Sequence, residues 1–429
     1  MSDKKNILLI SSLDPTNGVG SIAMDYYNAL TENGFQVDFF TRMKVKGHPE
    51  ILYALEKNPS KWSNISFRFV RRFRYISDDK SRLFFYRKET EPPVKINRIL
   101  NRIQRNYDAI IIFFWQNLLS YESILKIYQY CHNKPKVIFL CADYSPMTGA
   151  CHFFGDCENY KTGCGNCPMF NYKNKNDFTA KNVIFREKVI KKIKPYVLIN
   201  TYMKSFYSES TVMQAGAIFK HISMTMDLNI FKPFDKNVCR QKFNIPKTSK
   251  FVILFGSQLM SEERKGMKYL VESLNILWDK LSDIERNQIH IVTIGKSSDI
   301  FDSIIKFERT DLGYLDFKTL PEVYSLADVF LSPSINDAGP SMVNQSIACG
   351  TPVIAFEMGT ALDVIKNQGT GICVPLKDTH SFAEAIYTMF RKNPVEMDAI
   401  SKQCRLIAEK YHSFKAFADT INEIIEQEN

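Results

Sequence analysis

Residues 327–365 read ADVFLSPSINDAGPSMVNQSIACGTPVIAFEMGTALDVI. The apolar run 329–331 is typical of a short buried strand, and a loop containing two prolines, a glycine and an aspartate follows it. Residues 343–348 predict a helix, and after a Cys-Gly-Thr-Pro turn residues 352–356 predict a second buried strand. This succession of strand, loop, helix and strand indicates a parallel α/β sheet.

The loop of this unit predicts an anion-binding site. It leads into a helix, whose first backbone N–H groups lack helical partners and whose dipole favours a negative charge such as a diphosphate. Asp337 and Gln345 lie eight positions apart, one on the loop and one inside the helix, so both can face one ligand. The candidate ligand-binding residues in this stretch are Gly339, Pro340, Ser341, Met342, Val343 and Gln345.

Strands alternating with loops and helices are also predicted elsewhere in the chain. Residues 6–12 (NILLISS) predict a strand, residues 14–20 a glycine-containing loop, and a helix then ends at Asn33–Gly34 before a strand at 36–41. Further strands are predicted at 109–114, 136–140, 196–200, 250–255 and 290–294. The fold class is therefore α/β, with doubly wound parallel sheets.

The length of 429 residues exceeds what one hydrophobic core usually supports, and the two β/α series predict two similar domains facing a cleft. We place the first domain at residues 1–215, with a cysteine-rich insertion at about 141–175, and the second at residues 216–411. We expect the last segment, 412–429, to form a helix that packs back on the first domain.

The stretch 327–365 resembles the donor-binding signature of retaining glycosyltransferases of family four. That signature has two acidic residues separated by seven positions and then A-C-G-T-P-V-I, which stands here at 348–354. The resemblance implies the GT-B fold, in which two Rossmann-like domains face a cleft. It implies that Asp337 contacts the transferred sugar and that Gln345 holds the ribose with an amide in place of a carboxylate.

Other segments match the same family in the same order. They are residues 6–41, which include the glycines Gly18 and Gly20 of the loop expected to approach the ligands, and residues 227–233, 264–266 and 312–315. In the family a basic residue before a glycine binds the donor phosphates, which assigns that role to Lys265. The family's second phosphate-binding cation is an arginine where this chain has Ser257, and Arg264 is the candidate substitute.

These assignments predict how a diphosphate leaving group is stabilised. Its growing negative charge requires fixed cations and dipoles, which Lys265, Arg264 and the helix N-terminus would supply. No D-x-D cluster suited to a nucleotide-bound divalent ion is apparent in the sequence. The resemblance implies metal-independent transfer with retention of configuration and no cofactor required for catalysis.

Composition and charge limit the possible partners. No run of 18 uncharged apolar residues is present, and the short polar start leads directly into a strand, so we expect a cytoplasmic protein without a signal peptide. The formal net charge is +10, with basic runs such as 71–74 between residues 44 and 136. This charge is consistent with a solvated surface or with peripheral contact with an anionic membrane. No nucleic-acid-binding module accompanies it, so nucleic acid is not an expected partner.

Residues 141–168 contain a cluster of cysteines and a neighbouring histidine, His152. The spacing admits three readings: a structural zinc site, a reduced loop without metal, or a disulfide, which a reducing compartment disfavours. The candidate zinc ligands are Cys151, Cys157, Cys164 and Cys167.

The same stretch resembles an insertion of bacterial capsule and colanic-acid-type glycosyltransferases. In these proteins a His–Asp pair ends the preceding strand, whereas this chain has Ala142 followed by Asp143. Asp143 is therefore a candidate catalytic residue together with Asp337, Lys265 and Arg264, and His152 is a candidate occupant of the space left by the missing histidine.

The expected function is that of a glycosyltransferase. It would transfer a hexose from a nucleotide-sugar donor to a glycan or lipid-linked oligosaccharide acceptor in bacterial surface polysaccharide synthesis. The alternative is a non-catalytic nucleotide-sugar-binding homologue, because Gln345, Ser257 and Ala142 depart from the family pattern. A nucleotide-sugar epimerase or a dinucleotide-dependent oxidoreductase is disfavoured, and the latter lacks a third glycine after Gly18 and Gly20.

Overall fold

The computed structural model describes residues 4–16, 18–57, 88–170, 172–259, 262–296 and 305–427. The basic run 71–74 named above lies outside these ranges. The chain divides into two compact units. The first comprises Met1–Ile199, Met203–Thr225 and Phe414–Asn429, and the second comprises Asn200–Tyr202 and Met226–Ser413.

The first unit contains one parallel sheet. Its strands are β1 Asn6–Ser11, β2 Gln36–Met43, β3 Leu52–Leu55, β4 Ala109–Phe113, β5 Lys136–Leu140, β6 Tyr196–Ile199 and β7 Ile218–His221. Their order in the sheet is β3-β2-β1-β4-β5-β6-β7. The order reverses between β1 and β4, and the carboxyl ends of strands at such a reversal are the usual ligand-binding edge of an α/β sheet.

Helices connect these strands. They are α1 Ser21–Glu32, α2 Asn97–Leu100, α3 Tyr121–Tyr130, α4 Phe178–Ile193, α5 Thr201–Tyr207 and α6 Thr211–Gln214. Polar residues set their starts: the Asp177 carboxylate accepts hydrogen bonds from the backbone N–H groups of Thr179 and Ala180, and Ser120 forms a capping box with Ser123.

The second unit contains another parallel sheet. Its strands are β8 Phe251–Leu259, β9 Ile289–Lys296, β10 Arg309–Asp311, β11 Val329–Ser332, β12 Val353–Phe356 and β13 Gly371–Val374, in the order β10-β9-β8-β11-β12-β13. The helices that follow are α7 Lys236–Lys242, α8 Met267–Lys280, α9 Asp283–Arg286, α10 Leu320–Leu326, α11 Ser341–Ala348, α12 Ala361–Val364, α13 Thr379–Phe390 and α14 Pro394–His412. Helices α8 and α13 pack their apolar sides on this sheet to form its core.

The last helix, α15 Phe414–Glu426, belongs to the core of the first unit. Phe417, Ile421 and Ile424 are buried there, and the rings of Phe417 and Tyr26 lie 4.7 Å apart. Lys5 Nζ forms an ion pair with Glu426 at 2.8 Å. Among the described residues, no helix is both long and apolar enough to cross a bilayer.

The predicted fold class is confirmed, since both units are Rossmann-like and carry parallel sheets of seven and six strands. The second unit begins its long segment at Met226, whereas the sequence placed the boundary between 215 and 216. Strands β3, β7, β10 and β13 are not among the predicted ones. They lie at the ends of the two strand orders, have three or four residues and carry mostly partly exposed side chains, so they lack the longer buried apolar runs of the central strands.

Candidate functional site

The centre of the candidate site is Asp337, in the loop that joins β11 to α11. Its side chain is only 13% exposed, and its Oδ2 accepts hydrogen bonds from Lys265 Nζ at 2.6 Å and from an Arg264 guanidinium N–H at 3.0 Å. Burial alone would raise the pKa of Asp337, but the charges of Lys265 and Arg264 outweigh it and hold that pKa below its ordinary value. Asp337 is therefore a carboxylate held between two cations.

Local backbone geometry brings the two cations to this loop. They lie in the 3-10 turn Glu263–Lys265, and the Arg264 carbonyl accepts from the N–H groups of Ile335 at 2.9 Å and Asn336 at 3.3 Å. Gly266, with φ of 71°, follows the turn, and a Cβ on it would lie 1.8 Å from the Pro333 carbonyl oxygen. Only glycine permits this close approach, so the basic-Gly pattern in the sequence is also a packing requirement.

Helix α11 points its N-terminus at the same loop. No side chain caps this helix, and its first turn contains no acidic residue. Gly339 and Pro340 lie in the loop, and Ser341 and Met342 lie in the partly exposed first turn. The N–H of Val343 donates to the Pro340 carbonyl at 3.1 Å. The helix end combines with the two cations to give a site suited to an anion.

Gln345 lies inside the same helix and is buried. Its amide oxygen accepts a hydrogen bond from the Tyr324 hydroxyl at 2.9 Å. Tyr324 on α10 is fully buried, and burial raises its pKa well above the ordinary value, so this hydroxyl remains a donor. In the described part of the chain the Gln345 NH2 has no hydrogen-bond partner, so Gln345 offers a ligand N–H donors. The contact with Tyr324 has no signal in the sequence.

Two of the candidate glycines follow β1 in the first unit. Gly18 and Gly20 bound a 3-10 turn that leads directly into α1, and Gly18 has φ of 52°. A Cβ on Gly20 would lie 1.8 Å from the Asp14 carbonyl oxygen, so this turn also requires glycine. The turn lies at the carboxyl end of β1, beside the reversal in strand order.

Asp143 lies just beyond the carboxyl end of β5 and is 2% exposed. Its Oδ2 lies 2.9 Å from His152 Nδ1, and its Oδ1 accepts from the Ser145 N–H at 2.6 Å. The His152 ring lies 6.4 Å from that of Phe114, the residue after β4. The histidine named as a candidate for the missing family position thus lies within hydrogen-bond distance of the aspartate of that motif.

A buried ion pair supports the loop that follows Asp143. The Arg186 guanidinium donates to Glu89 Oε1 through Nε at 3.0 Å and to the Ser145 carbonyl at 2.6 Å, and it also contacts the Thr148 carbonyl. Both charged side chains are almost fully buried. The sequence contains no sign of this pair, because its members are distant in the chain and adjoin no recognised motif.

The cysteine cluster lies in the first unit, and all four candidate zinc ligands are free thiols. Burial raises the pKa of Cys164 to about 11 and that of Cys167 to about 12 in the metal-free protein, and a zinc ion binding there would displace the thiol protons. Over the described ranges, no three His, Cys, Asp or Glu side chains are grouped so as to hold a metal ion. The zinc hypothesis stays a prediction.

The candidate residues fall into two groups. Gly18, Gly20 and Asp143 belong to the first unit, whereas Asp337, its two cations and α11 belong to the second. Ser257 lies in β8 of the second unit, and its side chain is outside what the structure describes.

Comparison with protein families gives a match within the second unit. Residues 250–392, which include the whole Asp337 cluster, match the family model Glycosyl transferases group 1. This part of the second unit is therefore similar to glycosyl transferases of group 1. The match begins just before β8 and ends after α13, so it spans most of this unit.

The curated relatives of this chain are distant. A glycosyltransferase of Methanocaldococcus jannaschii is 25% identical over 40% of this chain and 44% of its own length. The D-inositol 3-phosphate glycosyltransferase of Saccharomonospora viridis is 22% identical over 65% of this chain and 64% of its own. A 41.2 kDa protein from the cps region of Klebsiella pneumoniae is 26% identical over 48% and 54%. The chain spans about half the length of the curated relatives it matches.

Solved structures of similar fold cover nearly the whole chain. Sucrose-phosphate synthase from Thermosynechococcus elongatus has a TM-score of 0.65 at 17% identity and covers 98% of both chains. Anabaena HepE in complex with UDP and glucose has a TM-score of 0.59 at 12% identity, again over 98% of both. TarM has a TM-score of 0.60 at 12% identity over 99% of both. At these identities the likeness establishes the fold, which is GT-B.

Proposed function

We propose that this protein is a glycosyltransferase that transfers a hexose from a nucleotide-sugar donor to a glycan or lipid-linked oligosaccharide acceptor. The observation that carries the proposal is the cluster of Lys265 and Arg264 around Asp337, at the uncapped N-terminus of α11. Two cations and a helix dipole at one loop are what a diphosphate leaving group requires.

Each group in the cluster has a proposed role. Lys265 and Arg264 bind the donor diphosphate and stabilise the negative charge that grows on it as the glycosidic bond breaks. Asp337, a carboxylate at neutral pH, accepts hydrogen bonds from hydroxyls of the transferred sugar. Its present ion pairs keep the two cations in place until the diphosphate shares them.

Gln345 is the proposed ribose ligand. Its oxygen is already bonded to the Tyr324 hydroxyl, so the NH2 group donates to a ribose hydroxyl. A carboxylate at this position would instead accept from the ribose. We propose that the Gln345 amide still binds the ribose, but that it donates the hydrogen bond that a carboxylate would accept.

UDP-sugars are the first donors to test. The HepE structures are complexes with UDP and glucose or with UDP-glucose, and a structure of a Staphylococcus aureus TarM mutant is a complex that includes UDP and alpha-GlcNAc-glycerol. We propose a surface polysaccharide as the destination of the sugar, because one relative is encoded in a cps region. Retention of configuration, metal-independent transfer and a cytoplasmic location at the inner face of the membrane complete the proposal and rest on the family resemblance.

The experiment is a turnover assay of the purified full-length protein against a panel of UDP- and GDP-sugars, with and without a chelator. Each donor is also tested for a shift in melting temperature. We expect one donor to stabilise the protein and to be hydrolysed slowly without acceptor, and the chelator to leave the rate unchanged. Stabilisation without turnover across the panel would favour the non-catalytic homologue, and neither response to any donor would contradict the proposal.

A further inference from the structure

An open groove of about 720 Å³ lies at one edge of the first unit, away from the residues discussed above. One wall is formed by residues 54–57, at the carboxyl end of β3, and the other presents Asn97, Arg98, Asn101 and Arg102 around α2. The order β3-β2-β1 places this wall at the same edge of the sheet as the glycine turn after β1. Ligands of parallel α/β sheets bind along that edge.

The groove is strongly basic for its size. Lys57, Arg98 and Arg102 line it, and Glu56 is the carboxylate among the lining residues. Glu56 Oε1 lies 3.5 Å from the Tyr53 hydroxyl. Asn97 and Asn101 lie four positions apart, so their amides can add neutral donors on the same wall. The lining therefore presents an excess of positive charge together with hydrogen-bond donors.

Arg102 is held in place without losing its charge. Its guanidinium donates to the Tyr53 carbonyl oxygen at 2.8 Å and lies 4.3 Å from the centre of the Tyr53 ring. Lys44 Nζ lies 5.7 Å from the same ring. Neither a carbonyl nor an aromatic ring neutralises a cation, so the charge of Arg102 remains available to an anion.

Lys57 and Arg98 are exposed, and neither forms an ion pair with any residue in the ranges that the structure describes. Elsewhere in the chain many exposed lysines and arginines pair with a nearby carboxylate, as Lys88 does with Glu91 and Lys126 with Glu122. Unpaired cations that converge on one groove repel one another unless an anion joins them.

We propose that this groove binds a phosphate group carried by a larger molecule. Arginine pairs and lysine match the geometry and charge of phosphate, and the open mouth admits a group presented from outside. An anionic phospholipid headgroup and a soluble phosphorylated molecule share this chemistry. The site goes beyond the transferase proposal, because none of its residues belongs to the Asp337 cluster.

The test measures binding of two probes to the full-length protein. One probe is vesicles of phosphatidylcholine mixed with phosphatidylglycerol, compared with phosphatidylcholine alone. The other is inorganic pyrophosphate, titrated in a Lys265→Ala background, in which the donor site binds pyrophosphate more weakly, and the contribution of the groove is the difference between the groove variant and the control variant. The groove variant is Lys57→Ala with Arg98→Ala, which leaves the Arg102 and Tyr53 contacts intact.

The matched control is Lys188→Ala with Lys192→Ala on α4, which removes the same charge from exposed positions of the same unit. We expect the groove variant to bind its probe about thirtyfold more weakly and the control variant to retain the parent's affinity. Circular dichroism and melting temperature confirm that each variant is folded.

The outcomes separate the two sources. A loss for vesicles alone assigns the groove to a lipid headgroup, a loss for pyrophosphate alone assigns it to a soluble phosphate, and either result supports the proposal. Equal binding by the groove and control variants, or no binding of either probe to the parent, overturns it. Because the readout is binding at the first unit, failure here leaves the transferase proposal intact, and absent turnover leaves this proposal intact.

Discussion

At the scale of single residues, the charge state of Asp337 links the site to stability. Its folded-state pKa lies below the ordinary value of 3.8, because Lys265 and Arg264 outweigh the effect of burial. A lowered carboxyl pKa stabilises the folded state above the unfolded-state pKa, and this contribution is lost as the pH falls through the folded-state pKa.

The substitution Asp337→Asn removes the carboxylate and leaves the two cations facing a neutral amide. We expect wild type to have the larger free energy of unfolding at neutral pH and the difference to shrink as the pH falls below about 4. Urea unfolding of both proteins across the acidic range measures it. A difference that grows as the pH falls would contradict the assigned ion pairs.

The contact between Tyr324 and Gln345 predicts a second residue-scale effect. Tyr324→Phe leaves the buried amide oxygen of Gln345 without its donor, so we expect a loss of about 1–3 kcal/mol in the free energy of unfolding. We also expect weaker UDP-sugar binding, because the amide is no longer held. Tyr387→Phe is the control, since that partly exposed hydroxyl has no hydrogen bond in the described ranges, and it should change stability by less than about 0.5 kcal/mol. Equal effects of the two variants would contradict the role of the contact.

At the scale of elements, the turn that carries Arg264 and Lys265 depends on Gly266. An alanine there would meet both an unfavourable positive φ and the Pro333 carbonyl oxygen at 1.8 Å. Gly313 has a similar φ of 62°, but nothing lies within 4 Å of where its Cβ would be. Alanine substitutions at Gly266 and Gly313 therefore separate the free-energy cost of a positive φ from that of a close approach to a neighbouring carbonyl oxygen.

We expect Gly313→Ala to destabilise the protein by about 1–2 kcal/mol and Gly266→Ala to add about 1–3 kcal/mol to that. Only Gly266→Ala should also weaken donor binding, because the turn must move away from Pro333. Chemical unfolding and donor titration give the two readouts. If both alanines cost the same, the close approach does not hold the turn.

At the scale of the whole molecule, the last helix completes the core of the first unit. Ile421 is fully buried there, whereas Leu406 on α14 is 59% exposed. We expect Ile421→Ala to lower the free energy of unfolding by about 2–5 kcal/mol and Leu406→Ala to change it by less than about 0.5 kcal/mol. Thermal and urea unfolding measure both. A small effect of Ile421→Ala would mean that α15 contributes little to this core.

Much of the architecture was predictable because the strands at the centre of each sheet are continuous apolar runs. Residues 250–255 and 352–356 are examples, and helix ends such as Asn33–Gly34 carry recognisable stop signals. The edge strand β10 was not predictable, because its three residues are partly exposed and show no apolar pattern.

The candidate site was predictable as a set of residues but not as a set of contacts. The spacing of Asp337, Gln345 and the basic pair is visible in the sequence. That Asp337 pairs with both cations, or that Tyr324 donates to the Gln345 oxygen, depends on folding that brings distant segments together. Local patterns contain no information on such pairs.

The central claim is that the basic turn, the Asp337 loop and the N-terminus of α11 bind a nucleotide-sugar diphosphate. Isothermal titration of the UDP-sugar that most stabilises the wild type, repeated with Lys265→Ala and Lys268→Ala, tests it most directly. Lys268 is the matched control, because it lies three residues further on, is largely exposed and pairs with Glu263 at 3.7 Å. The account predicts affinity at least about tenfold weaker for Lys265→Ala and unchanged for Lys268→Ala, since a hydrogen bond to a charged group contributes about 1.5–3 kcal/mol. Equal affinity of all three proteins for the donor would contradict it.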